Sequence, residues 1–162
     1  MVIANFLKKQ NTVIFIFIIY ILILSLWTLI SLFTEAMDIG DIVFFKPPSV
    51  EKDSVFGIVL KGLIVAPLLE TLIFQKLAYY LFSKISYLNN KNILICVISG
   101  FLFGLSHWYS LFYVIIASIV GYILMYAYLV HIRNLKKSFW IVAGIHFLVN
   151  LSALIKDMIL ST

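Results

Sequence analysis

Glu70, His107, His146 and Asn150 are polar side chains set in stretches that are otherwise apolar. A carboxylate, two imidazoles and an amide are the groups needed to activate a water and to stabilise the charge its attack creates. Singly, each has a plainer reading. A lone glutamate can be protonated and hydrogen-bonded, a buried histidine is often structural, and an amide can join two helices by a hydrogen bond. Together these readings weaken, because an ionisable residue inside a membrane span is costly and marks a site with a partner. His146 and Asn150 are four residues apart and share a helix face, as do Phe103 and His107. Gly100 and Gly104 form a G-x-x-x-G on the same stretch as His107, which lets another backbone approach closely. Pro67, three residues before Glu70, removes a helical hydrogen bond. The resulting kink exposes backbone polar groups beside a cavity, where membranes tolerate them. Ser106 adjoins His107, but neighbours on a helix point about 100° apart, so it is not convincingly placed against that base.

These residues need spans to position them. The chain has 162 residues, of which 64% are hydrophobic and 12% charged, against roughly 45–50% and about 25% in soluble chains. With a mean hydropathy of +1.12, a soluble domain of this length could not hide its apolar surface. Cys96 is the sole cysteine, which excludes a disulfide scaffold. A bilayer core of about 30 Å takes roughly 20 apolar residues per helix. Five stretches qualify: Thr12 to Phe33 as a retained anchor, Val55 to Phe82, Asn92 to about Trp108, Leu111 to Val130, and Phe139 to Leu160. The expectation is an all-α, polytopic transmembrane bundle of about five spans, a single integral membrane domain over residues 1–162. Counted from the basic ends, Glu70, Asn150, His107 and His146 lie at roughly 20, 17, 22 and 10 Å depth, close enough for one site.

The connecting segments give an orientation. Lys8, Lys9, Lys84, Lys91, Arg133, Lys136 and Lys137 occupy three segments without one acid, whereas 34–54 carries Glu35, Asp38, Asp41, Glu51 and Asp53 against Lys46 and Lys52. Basic loops stay inside, which places the N-terminus in the cytoplasm. The net charge of +5 therefore points to anionic lipid headgroups as the partner, and not to nucleic acid. Lys61 and Lys76 are expected to snorkel to the interfaces, and Trp108, Tyr109 and Trp140 to sit in aromatic belts. Cys96 reads as a small packing residue, and His131 as a solvated loop residue.

The run Ala66-Pro67-Leu68-Leu69-Glu70-Thr71-Leu72-Ile73-Phe74-Gln75 resembles the first motif of the CAAX-protease and bacteriocin-processing family of intramembrane endopeptidases. That family is also called the Abi family or type II CAAX prenyl endopeptidases. Its first motif reads E-E-x-x-x-R, often after Ala-Pro. Its F-x-x-x-H matches Phe103 to His107, and its H-x-x-x-N or H-x-x-x-D matches His146 to Asn150. The motifs stand in the family's order on separate helices, within a family-like core of about 55–160. Two positions depart from the pattern: the second Glu is Thr71 and the Arg is Gln75. Both charges are lost together, and a Thr71–Gln75 hydrogen bond would stand where the family can form an ion pair.

The resemblance implies peptide-bond hydrolysis within the membrane without a covalent intermediate. Glu70 would act as general base and His107 would orient the water. His146 and Asn150 would donate to the oxyanion, with Thr71, Gln75 and Phe103 in support. No cofactor is implied with certainty. Zn²⁺ held by Glu70, His107 and His146 stays open, although no H-E-x-x-H is present. The substrate would be a peptide or membrane protein. So small a chain resembles bacterial members, which suggests the bacterial plasma membrane, where prenylated tails are not expected. The alternative within the family is a non-catalytic immunity or scaffold protein. A proton-coupled transporter is disfavoured by five spans without an internal repeat. In intact cells, a membrane-impermeant thiol reagent should label Asp41→Cys and not Lys136→Cys; the reverse pattern would invert the orientation.

Overall fold

The computed structural model describes residues 2–38 and 55–160. Asp41, Glu51, Asp53 and the Pro47-Pro48 pair of the acidic segment lie outside the described residues. Among the described residues six helices follow one another: α1 (Val2–Lys9), α2 (Thr12–Ala36), α3 (55–82), α4 (Asn92–Leu105), α5 (Leu111–Val130) and α6 (Leu135–Leu160). No strand occurs among the described residues. Side-chain caps account for three of the helix starts. Asn11 Oδ1 accepts the Val13 N–H at 2.9 Å, Ser110 Oγ accepts the Tyr113 N–H at 3.1 Å, and Asn134 Oδ1 accepts the Lys137 N–H at 3.0 Å.

Among the described residues four helices are long and apolar enough to cross a membrane: Thr12–Ala36, Leu60–Phe82, Leu111–Val130 and Leu135–Ile159. The five full spans expected from sequence are thus four, plus a shorter apolar helix. The exception is α4, whose 14 residues extend about 21 Å. It stops at Leu105 because the chain turns and Ser110 caps α5, so His107 sits in the turn and not on the helix. The last helix begins at Leu135, earlier than Phe139, because the Asn134 cap draws Lys136 and Lys137 into its first turn. α1 was not anticipated; it places Leu7 in the core and leaves Lys8 and Lys9 exposed.

The core centres on α5, where Leu124, Met125, Ala127 and Tyr128 are fully buried. Large apolar side chains such as Phe17, Leu29, Ile93 and Ile115 face outward, as a lipid-facing surface requires. The tightest packing joins α4 to α5. A Cβ added at Gly100 would lie 2.6 Å from the Ser118 carbonyl oxygen, one at Gly121 would lie 3.0 Å from the Gly100 Cα, and one at Gly104 would overlap Ser118 Oγ. The G-x-x-x-G is thus a backbone-to-backbone contact. Ser118 lies against it with its hydroxyl folded back onto the Val114 carbonyl at 2.7 Å, and Cys96 is buried on the same helix.

The basic segments meet at one end. The Phe15 and His131 rings pack edge to face at 4.6 Å, Tyr79 packs on Tyr128 at 6.1 Å, and Lys76 Nζ lies 5.6 Å from the centre of the Phe139 ring. The start of α2, the ends of α3 and α5 and the start of α6 are therefore together, and all seven basic residues of the connecting segments gather there. Lys76 reaches that end and does not line the site. His131 is not solvated as expected: its Nε2 is buried without a hydrogen-bond partner. Burial, with Lys137 and Lys8 nearby, pushes its imidazole below the ordinary histidine value.

Gly104→Val should split α4 from α5 and destabilise the fold by about 1–3 kcal/mol or more, read as a lower unfolding temperature in detergent. Gly62→Ala, where an added Cβ meets nothing within 4 Å, is the control and should not lower that temperature.

Candidate active site

The helix carrying Glu70 is irregular on both sides of it. Residues Leu60–Val65 and Thr71–Leu77 are wound as π-helix around a short α segment, Ala66–Glu70. The sequence expectation of a plain kink at Pro67 becomes a pair of π turns. Their cost in backbone hydrogen bonds can be traced. The Ala66 N–H reaches back five residues to the Lys61 carbonyl, and Pro67 has no N–H to offer. The Gly62 carbonyl thereby loses its helical donors. Asn150 Nδ2 supplies the missing one from α6, at 2.9 Å. A buried carbonyl must be paired, and Asn150 pairs this one across 88 positions of sequence. The amide has a second N–H, and Asn150 also borders the cavity beside the two histidines.

One turn beyond Pro67, Glu70 meets both histidines. Its Oε2 lies 3.7 Å from His107 Nε2 and 3.5 Å from His146 Nε2; the side chains of Glu70, His107 and His146 are 23%, 20% and 6% exposed. These separations exceed a direct hydrogen bond, and Glu70 Oε2 is buried without a hydrogen-bond partner. Of the four residues singled out by sequence, the structure therefore brings three to one point and places Asn150 beside them.

The neighbours of each ring fix its tautomer. His107 Nδ1 lies 2.8 Å from the Phe103 carbonyl oxygen, which can only accept, so the neutral ring carries its proton there and turns the Nε2 lone pair toward Glu70. His146 has no partner at buried Nδ1, so its proton belongs on Nε2, facing Glu70. Phe103 holds the arrangement: its ring lies 4.5 Å from that of His107, 5.8 Å from that of His146 and 5.4 Å from that of Phe74. The Ser99 hydroxyl donates to the Phe74 carbonyl, tying α4 to the second π turn of α3.

Two sequence expectations need correction. Ser106 does approach His107, at 3.0 Å between Oγ and Nδ1, because both lie where α4 gives way to a turn. Its hydroxyl proton goes to the Phe103 carbonyl at 2.7 Å, so it is not poised as a nucleophile. The Thr71–Gln75 hydrogen bond is not formed. Both side chains are fully buried, and neither Thr71 Oγ1 nor the Gln75 amide atoms have a hydrogen-bond partner. The segment is π-wound, so the i,i+4 alignment of an α-helix does not hold there. Among the described residues no group of three His, Cys, Asp or Glu side chains is arranged to hold a metal ion.

Sequence reasoning missed Gly62, Trp27 and Tyr113. The signal for Gly62 was its position five residues before Pro67. The signal for Tyr113 was its place at the head of a stripe through Ala117, Val120 and Leu124, which faces the site. Trp27 had no signal in its own helix.

A family model described as type II CAAX prenyl endopeptidase Rce1-like matches residues 52–152, more than half of the chain and all of the residues converging here. The chain belongs to that family. It is accordingly a CAAX-protease-like integral membrane protein of a protease family, with α1 and α2 lying outside the matched region. Neither curated proteins nor solved structures gave a match. Within this family member, the last motif has a visible structural duty through Asn150. Asn150→Ala should lose about 1 kcal/mol of stability through the orphaned Gly62 carbonyl. The loss should shrink when Pro67→Ala restores a backbone N–H in the turn, giving a measurable coupling in a double-mutant cycle. Additive losses would show that Asn150 and Pro67 act separately.

Proposed function

We propose that this protein is an intramembrane endopeptidase in which Glu70 and the two histidines activate a water against a peptide bond. The observation that carries the reading is the meeting of Glu70 Oε2 with both imidazoles, at 3.7 and 3.5 Å, in a protein of a protease family. A water in the triangle would donate one proton to the Glu70 carboxylate and the other to the His107 Nε2 lone pair. Both contacts raise the electron density on its oxygen. As the water attacks the carbonyl carbon, Glu70 takes a proton and the carbonyl oxygen becomes negative. His146 Nε2–H and the second N–H of Asn150 are the donors available to that oxyanion. The proton on Glu70 then passes to the departing amine as the C–N bond breaks, which restores the carboxylate. No protein atom becomes covalently attached at any step.

Glu70, His107 and His146 are written here as acid–base groups. Zn²⁺ ligation by the same three is the competing assignment. The His107 Nδ1 bond to a carbonyl is the outer contact a metal-bound histidine would also use, but His146 has no such contact. The substrate would be a peptide or a membrane protein in a bacterial plasma membrane. The basic end would be cytoplasmic and the N-terminus inside.

One observation favours the non-catalytic immunity or scaffold reading. Thr71 and Gln75 bury unpartnered polar atoms where the family pattern has charges, and a site that has lost those charges could persist for packing alone.

Glu70→Gln should abolish proteolysis by purified protein in nanodiscs. His146→Ala should leave a residual rate about 10²–10³-fold lower, and both variants should still insert. Full activity in Glu70→Gln would remove the glutamate mechanism. Activity in cells without detectable proteolysis would establish the non-catalytic reading. Chelator treatment should leave activity intact; loss restored by Zn²⁺ would make the three residues ligands.

A further inference from the structure

We infer that the cavity beside His107 and His146 is a recognition pocket for one small aliphatic side chain next to the scissile bond, and that Trp27 of α2 sets its size. This deepens the proteolytic reading and rests on it. The cavity measures about 60 Å³. A single water needs roughly 10–15 Å³ measured in the same way, and an engineered cavity of about 150 Å³ accepts benzene. The space therefore suits a group of a few carbons and excludes a ring.

Its lining combines His107, His146 and Asn150 with the apolar Ala117, Val120 and Leu124. The reacting bond would lie at the polar residues, and the three apolar residues would supply the wall. An apolar cavity has no partners for water, so the wall is complementary to hydrocarbon. The residues of α5 recur at Tyr113, Ala117, Val120 and Leu124, a helical stripe that turns one continuous face to the site. Ala117 is the smallest of them, and a larger side chain there would enter the cavity it lines. Trp27 closes the remaining side, its ring 6.2 Å from that of Tyr113. Trp27 lies outside the region matched by the family model, on a helix other than those that carry Glu70 and the two histidines. Selectivity thus comes from a helix that carries none of the reacting groups.

The test uses apolar peptides of about 20 residues in lipid nanodiscs, with one central residue varied among Gly, Ala, Val, Leu and Phe, and the fragments mapped by mass spectrometry. Wild-type protein should cut beside Ala or Val at least about tenfold faster than beside Leu or Phe. Ala117→Leu should fill the pocket and restrict cleavage to Gly. Trp27→Ala should enlarge it and admit Leu or Phe, with Trp27→Leu as a milder variant if the first does not fold. An unselective wild type, or one profile for all variants, would overturn the inference. If wild type cuts no peptide, the proteolytic reading has failed and the pocket is judged by binding. Of the three tryptophans, Trp108→Phe and Trp140→Phe leave Trp27 as the emitter. Saturable quenching by N-acetyl-valine amide, weaker with N-acetyl-phenylalanine amide and lost in Ala117→Leu, would uphold the pocket. Equal responses to the two amides would overturn it.

Discussion

A carboxylate inside a lipid-embedded protein must be given partners or give up its charge, and this requirement on Glu70 organises the molecule. Its partners come from two other helical regions, the turn after α4 and the middle of α6. Each must be held at the right depth and in the right tautomer. The Phe103 carbonyl holds the proton of His107 on Nδ1, and the Phe103 ring separates the two imidazoles from the rest of the core. α4 in turn is fixed by glycines that press it onto α5. The backbone disorder that Pro67 introduces is absorbed by two π turns and a single amide from α6. The candidate site and the backbone accounting therefore share a residue, since Asn150 pairs the Gly62 carbonyl and lines the cavity beside the histidines.

Much of this could be read from the chain because lipid makes polarity conspicuous. Glu70, His107 and His146 stood out by cost alone, and a structure that brings them together follows from the same cost. Gly100 and Gly104 were legible for a similar reason: spacing reports a contact whenever the side chain has to be absent. What escaped depended on partners distant in sequence. The winding around Glu70 is set by how the Gly62 carbonyl is satisfied, and its donor lies on the last helix. The length of α4 turned on Ser110, a single capping hydroxyl in a stretch without glycine or proline. His131 looked like a loop residue in a basic segment, yet Phe15 from the first long helix covers its ring.

Thr71 and Gln75 show the limit of reasoning by local analogy. Their spacing suggested a neutral pair, but the segment that holds them does not wind with the period the argument assumed. Two buried polar side chains are left without hydrogen bonds, each an energetic liability of about 1–3 kcal/mol. The second π turn thus carries strain of composition directly beside Glu70, and Ser99, from α4, is the polar side chain that ties its backbone down.

The shortness of α4 has a consequence for the surrounding bilayer. A hydrophobic helix of about 21 Å stands beside α5, with 20 residues, and the 23-residue stretch Leu60–Phe82 of α3. Such a mismatch is relieved when lipids beside the short helix shorten their span or its end is drawn inward. Either response brings headgroups and their hydration toward the turn that bears His107. The protein thereby supplies its own thin spot, where the proposed hydrolysis would find water inside a medium that excludes it.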